Sequence, residues 1–141
     1  MNFEAERAAL ADRLARRESL DSATVEAMRT VPRHLFVPEG KRDSAYQDTP
    51  LPIGEGQTIS APHMVAIMCD LLDLQPGQQV LEIGTGCGYH AAVTAEIVGS
   101  ENVYSVEYHE ELAEKARETL ERVGYGDISV RVGDGKEGWP E

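Results

Sequence analysis

A chain of 141 residues with 41% apolar and 27% charged side chains is long enough for one hydrophobic core, and its recurring apolar segments exclude a disordered polymer. No stretch approaches the roughly 18 consecutive apolar residues of a membrane span, and the charged start (Glu4, Glu6, Arg7) lacks a signal peptide's apolar region, so a cytoplasmic location without membrane partners is expected. All thirteen Lys and Arg lie outside residues 43 to 114, which hold twelve acids, and in a chain of net charge −12 such a field repels nucleic-acid phosphates and anionic lipid.

Residues 3 to 18, rich in Ala, Leu, Arg and Glu, predict a helix with Leu10 and Leu14 on one face. A second, shorter helix follows, capped by Asp21 or Ser22, with Val25 and Met28 inward and Pro32 helping to end it. From Arg33 to Gln57 the prolines and glycines (Pro38, Gly40, Pro50, Pro52, Gly54, Gly56) break any period and predict a long irregular segment, a kind that usually carries function. Ser60, directly before Ala61-Pro62, suits the N-cap of a third helix in which Met64, Ile67, Met68, Leu71 and Leu72 fall at helical spacing. That helix ends near Gln75-Pro76-Gly77.

The period then changes. Val80, Leu81 and Ile83 predict a short buried strand, Asn102 to Val106 a second and Ile128 to Val132 a third. Between them lie a helix through about Val98 and another over 109 to 123, ended by Gly124. Strands alternating with helices of this length predict an α/β fold with a parallel sheet and right-handed crossovers. The chain divides into an N-terminal helical and loop region, residues 1–60, and a βαβαβ region, residues 61–141. Cys69 and Cys87 read as buried thiols, and neither they nor His34, His90 and His109 have the spacing of a metal site, so none is expected.

The most informative stretch is Glu82-Ile83-Gly84-Thr85-Gly86-Cys87-Gly88, between the first strand and its helix. Its G-x-G-x-G spacing differs from the G-x-G-x-x-G of dinucleotide sites, and an acid two residues before the first glycine suits a cationic ligand better than a pyrophosphate. Glu107 follows the second strand, 19 residues beyond Gly88, where α/β folds commonly place an acid on ribose hydroxyls. The third strand leads into Gly133-Asp134-Gly135 at the same sheet edge. Singly, the glycines read as a structural turn, Glu107 as a solvated charge and Asp134 as a turn acid; their convergence points to a nucleoside cofactor.

Two further segments, Tyr46 to Gly54 (YQDTPLPIG) and Gly56 to Met64 (GQTISAPHM), resemble signature segments of the protein-L-isoaspartate O-methyltransferases. The resemblance runs from Val31-Pro32-Arg33-His34-Leu35-Phe36-Val37-Pro38, through the glycine turn and Gly133-Asp134-Gly135, to Gly138-Trp139-Pro140-Glu141. It implies a Rossmann-like class I methyltransferase fold and S-adenosylmethionine as cofactor, held by Glu82, Gly84, Thr85, Gly86, Gly88, Glu107, Asp134 and Gly135. It also implies methyl transfer to the free carboxyl of isoaspartyl residues in damaged proteins and peptides. Ser60 matches the family's active-site position, and Gln57, Thr58 and Ile59 match the stretch lining cofactor and substrate. Cys87 replaces a serine common in the family, and Val65 stands where some members have a histidine.

Asp48 and His63 are candidates for the substrate loop, Asp48 holding the loop or meeting substrate, His63 facing the cleft or satisfied locally. Family members continue into a further strand that pairs with the first. The fold expected here is therefore truncated after the third strand, with the Val80 to Ile83 edge uncovered and open to self-association. Two alternatives stand beside the enzyme: a module that binds cofactor without turnover, and a methyltransferase for small molecules.

Overall fold

The computed structural model describes residues 2–139, so Pro140 and Glu141 of the terminal motif lie outside the described residues. Helix α1 (Phe3–Arg17) starts where the Asn2 side chain accepts the Ala5 amide at 3.1 Å, carries Glu4 and Glu6 in its first turn and Arg16 and Arg17 in its last, and buries Leu10, Ala11 and Leu14. That charge order complements the helix dipole. Helix α2 (Ser22–Thr30) is capped by Asp21, whose carboxylate accepts the Thr24 amide at 2.8 Å, and it buries Thr24, Ala27 and Met28. Val25 is half-buried against the same core.

The segment from Arg33 to Gln57 is more ordered than its composition predicts. It holds 3-10 turns at Arg33–Phe36 and Glu39–Ser44 and then an antiparallel hairpin, β1 (Leu51–Gly54) with β2 (Gln57–Ile59). Leu51 pairs with Ile59 and Pro52 with Thr58 before the register shifts at Gly54. Strands of four and three residues are too short to show a period, and Pro52 suppresses a strand reading although a two-stranded sheet tolerates it.

Helix α3 (Pro62–Leu71) buries Pro62, Val65, Ala66 and Cys69. Met64, Met68, Leu71 and Leu72, whose spacing predicted the helix, are 44 to 77% exposed, so that apolar face is open among the described residues. A three-stranded parallel sheet follows in the order β3-β4-β5: β3 (Val80–Ile83), β4 (Val103–Glu107) and β5 (Ser129–Val132). Its registers run Val80 to Val103 and Tyr104 to Ser129. The first strand departs from the buried strand expected, because Leu81 and Ile83 are 44% and 55% exposed on the edge of the sheet.

Helix α4 (Tyr89–Val98) is apolar nearly all round and buried nearly all round, with Ala91, Ala92, Val93 and Ala95 at its centre. Helix α5 (Glu110–Val123) is one-sided, burying Leu112, Ala113, Ala116 and Leu120. It ends in a Schellman motif: the Gly124 amide reaches the Glu121 carbonyl, and the Tyr125 amide the Leu120 carbonyl at 2.7 Å. One hydrophobic cluster runs from Leu10 to Ile128 and joins the N-terminal helices to the sheet and its helices.

Gly135, in a 3-10 turn after β5, sits against β3. A Cβ there would overlap Cγ2 of Ile83, far inside contact distance. Gly135→Ala should lower stability by about 1 kcal/mol, the low end for overpacking, because the half-exposed Ile83 can rotate away. Thermal denaturation of Gly135→Ala, Ile83→Ala and the double variant checks this: the alanine at 135 should cost almost nothing once Ile83 is truncated.

Candidate cofactor and acceptor site

The loops at the carboxyl ends of the three strands are stitched together by their backbones. The Gly84 amide donates to the Val106 carbonyl at 2.7 Å and the Gly133 amide to the Glu107 carbonyl at 3.0 Å, so the ladder continues into both loops. Gly84 and Gly86 hold φ of +93° and +57°, conformations that favour glycine. A Cβ on Gly84 would meet nothing within 4 Å, so that position opens onto free space.

Glu107 ends β4 and is 5% exposed, which rules out the solvated charge. One of its oxygens accepts the Gly86 amide at 2.8 Å and the other the His109 amide at 2.9 Å. Each oxygen keeps a second lone pair for another donor. Asp134 accepts the Lys136 amide at 2.9 Å and so shapes its own turn. Gly88 caps α4 in the left-handed conformation, 3.2 Å from Leu120 measured from where its Cβ would be.

Glu82 stands across the sheet from Ser105 in the parallel register. The Ser105 hydroxyl donates to the Glu82 carboxylate at 2.5 Å and, its proton committed, accepts from the Thr85 hydroxyl at 2.6 Å. Burial pushes the Glu82 pKa up to about 7; the Ser105 hydrogen bond opposes this and the Glu107 charge adds to it. Nothing in the sequence marks Ser105, a fully buried serine in mid-strand, as part of the site.

Facing Glu82 across a narrow cleft is the hairpin and the start of α3. The cleft is lined by Ile53, Thr58, Ile59, Ser60 and Val65 on one side and by Glu82, Gly84, Thr85, Gly86, Cys87, Tyr89 and His90 on the other. The expected residues Thr58, Ile59, Ser60, Glu82, Gly84, Thr85 and Gly86 thus meet in one place. Gln57 is exposed on β2 outside this lining, and Glu107 joins it through Gly86. Burial pushes the Cys87 thiol up to about 11 and holds His90 below the usual imidazole range, so both are neutral at pH 7. His90 Nε2 lies 3.5 Å from the Cys69 sulfur, whose thiol burial likewise pushes up to about 11.

Ser60 does not cap α3. The N-cap position is Ala61, which has no side-chain cap, and the missing acceptor comes from the loop: Asp48 Oδ1 accepts the His63 amide at 2.9 Å and lies 2.9 Å from His63 Nδ1. Arg17 adds a longer contact to the other oxygen, at 3.5 Å. Asp48 and His63 are therefore satisfied by each other, and Ser60 is exposed at the cleft. Burial raises the Asp48 pKa, but the His63 hydrogen bonds and charge, with Arg17, more than offset it and leave the value below its ordinary one.

Asp48→Ala should cost about 1 to 2 kcal/mol, the range of a lost cap. Because the folded pKa is depressed, this contribution is present above the unfolded pKa of about 4 and is lost as pH falls through the lower folded value. Chemical denaturation of wild type and variant at pH 7 and near pH 2.5 should give a difference that shrinks at the acid end.

Glycines at the first strand–helix turn, an acid ending the second strand and a third loop at the same edge define a Rossmann-like class I methyltransferase fold, with the sheet flanked by helices. The protein-L-isoaspartate(D-aspartate) O-methyltransferase (PCMT) family model matches residues 5–141, and the chain belongs to that family. It is 61% identical over 140 residues to Archaeoglobus fulgidus protein-L-isoaspartate O-methyltransferase 2, covering 99% of this chain and 64% of that protein. Identity to the Methanothrix thermoacetophila protein-L-isoaspartate O-methyltransferase is 62%, over 89% of this chain and 60% of the relative. The chain thus spans less than two thirds of the length of both.

A solved protein-L-isoaspartate O-methyltransferase superposes with a TM-score of 0.85 at 31% identity, over 95% of this chain and 44% of that one. A Plasmodium falciparum structure described as a protein of this family, in complex with S-adenosyl-L-homocysteine, superposes at 0.75 and 29% identity over 90% of this chain and 62% of that one.

Proposed function

We propose that this chain binds S-adenosylmethionine at the carboxyl edge of its parallel sheet and presents the acceptor loop for methyl transfer to the free carboxyl of isoaspartyl residues in damaged cytoplasmic proteins and peptides. The observation that carries this reading is the shared cleft, in which the hairpin and Ser60 face the glycine turn and Glu82. The relatives' names and the S-adenosyl-L-homocysteine bound by the Plasmodium falciparum protein support it.

The residues fit the cofactor. Open space at Gly84 leaves room for a ligand against backbone, the second lone pairs of Glu107 suit two adjacent ribose hydroxyls, and Glu82 suits a cationic amino acid and sulfonium. The cofactor supplies an electrophilic methyl group. Thr58, Ile59 and Gly86 line the cleft, Gln57 precedes Thr58 on β2, Gly88 caps α4 after the glycine turn, and Asp134 and Gly135 form the turn that follows β5 at the same end of the sheet. An acceptor carboxylate with a pKa near 4 is ionised at pH 7, so no residue has to remove a proton from it. The remaining task is alignment, to which a neutral hydroxyl such as Ser60 contributes by donating a hydrogen bond without cancelling the charge.

Methyl-labelled S-adenosylmethionine offered with an isoaspartyl peptide and its aspartyl isomer tests the reading, and a base-labile ester on the isoaspartyl peptide alone is expected. Binding without transfer would favour the binding-only module, and transfer only to small acceptors the other enzyme class. Ser60→Ala should cut turnover by tenfold or more, on the order of one well-placed donor, with little change in melting temperature, because Asp48 supplies the cap.

Affinity for the cationic cofactor should also rise with pH through about 7, as Glu82 ionises. Below that value binding has to expel a proton, a penalty approaching tenfold per pH unit. Glu82→Gln should flatten the dependence, and calorimetry from pH 5.5 to 8.5 measures both proteins.

A further inference from the structure

We infer that Arg33 is a positioning residue that sets Ser60 opposite the glycine turn; this rests on the methyl-transfer reading and deepens it. Arg33 lies in the 3-10 turn after α2 and is wholly buried, with a relative exposure of 0%. Its Nε donates to the Ala45 carbonyl at 2.8 Å, and its Nη2 donates to the Ser60 carbonyl at 3.0 Å, with Thr49 O at 3.4 Å. The guanidinium carbon stands 4.9 Å from the centroid of the Tyr89 ring. Nη1 is enclosed without a hydrogen-bond partner, and no carboxylate among the described residues lies within ion-pair distance of Arg33.

A buried cation with no anion is expensive, and a hydrophobic side chain would fill the same space at lower cost. What the guanidinium adds is a rigid planar fork, able to grip carbonyls that point in different directions. The three it reaches come from 16 residues of the acceptor loop, the last of them Ser60 itself. The ring beneath it belongs to Tyr89, which opens α4 immediately after Gly88. Arg33 therefore ties the backbone carrying Ser60 to the helix carrying the glycine turn, two parts of the chain separated by α3 and β3. Ser60 has no other anchor of this kind: it ends neither β2 nor α3, and the cap of α3 is made by Asp48.

A residue that acts through Ser60 loses its effect when the Ser60 hydroxyl is removed. We expect Arg33→Lys to lower kcat on an isoaspartyl peptide about tenfold to a hundredfold, the scale of a displacement near 1 Å, while the KM for S-adenosylmethionine stays within about threefold. Ser60→Ala/Arg33→Lys should be no slower than Ser60→Ala alone, as for groups that work as a unit. Fully additive losses, or a loss accounted for by the unfolded fraction, would overturn the inference.

Hydrogen exchange provides a readout that needs no turnover. With S-adenosylhomocysteine bound, Arg33→Lys should speed exchange at residues 57–61 and leave 84–88 unchanged. Equal protection in both segments overturns the positioning role. Absence of methyl transfer by the wild-type chain overturns the proposed function instead, and the exchange result still decides whether Arg33 holds Ser60.

Discussion

Glu107 accepts two backbone amide protons, one on each oxygen, at the end of the central strand of the sheet. This carboxylate holds the glycine turn to the start of α5, and the loops on either side of it are joined by the ladder bonds of Gly84 and Gly133. Glu82, on the neighbouring strand, has one hydroxyl donor in place of two amides. The two acids consequently differ although they share an edge: Glu107 is held by two backbone amides, whereas burial and the Glu107 charge push Glu82 up to about 7. One acid is tied into the frame by two amides, and the other keeps a single hydroxyl partner. The asymmetry follows from register, because Glu82 pairs with Ser105 and a single hydroxyl is all that position offers.

The hairpin side of the cleft is held by remote groups. Its two strands are too short to fix a serine on their own, and the segment is fastened by Arg33 gripping its carbonyls and by Asp48 capping α3. Each fastening removes a duty from Ser60. Had Ser60 capped α3, its hydroxyl would have been committed to an amide of the first turn. With Asp48 in that place, the hydroxyl is exposed beside Thr58 and Glu82.

Much of the βαβαβ part was legible because its signals are local. The change from helical spacing to short apolar runs located β3, β4 and β5, and Gly124 located the end of α5. The glycine turn and Glu107 were legible because they combine backbone conformation with position on a strand. The contacts without a local signal are those between residues distant in sequence. Asp48 caps a helix 15 residues away, Arg33 holds a carbonyl 27 residues away, and Ser105 reaches Glu82 from the next strand. The sequence points to Ser60 as the N-cap because a cap is ordinarily read from the residue beside the helix, and spatial substitution leaves no local trace.

Apolar spacing also reports a tendency to be covered without reporting what does the covering. Met64, Met68, Leu71 and Leu72 mark α3 correctly, yet they face outward among the described residues, as do Leu81 and Ile83 on β3. Strand alternation separates this surface from the chemistry. Val80 and Glu82 are half-buried on one face of β3, whereas Leu81 and Ile83 are exposed on the other. A group packed against Leu81 and Ile83 would meet β3 on the face away from the Glu82 carboxylate, where Gly135 already approaches Ile83. It would stiffen the strand without contacting the hydroxyl chain from Thr85 through Ser105 to Glu82, so the stability of this face and the electrostatics of the cleft can vary independently.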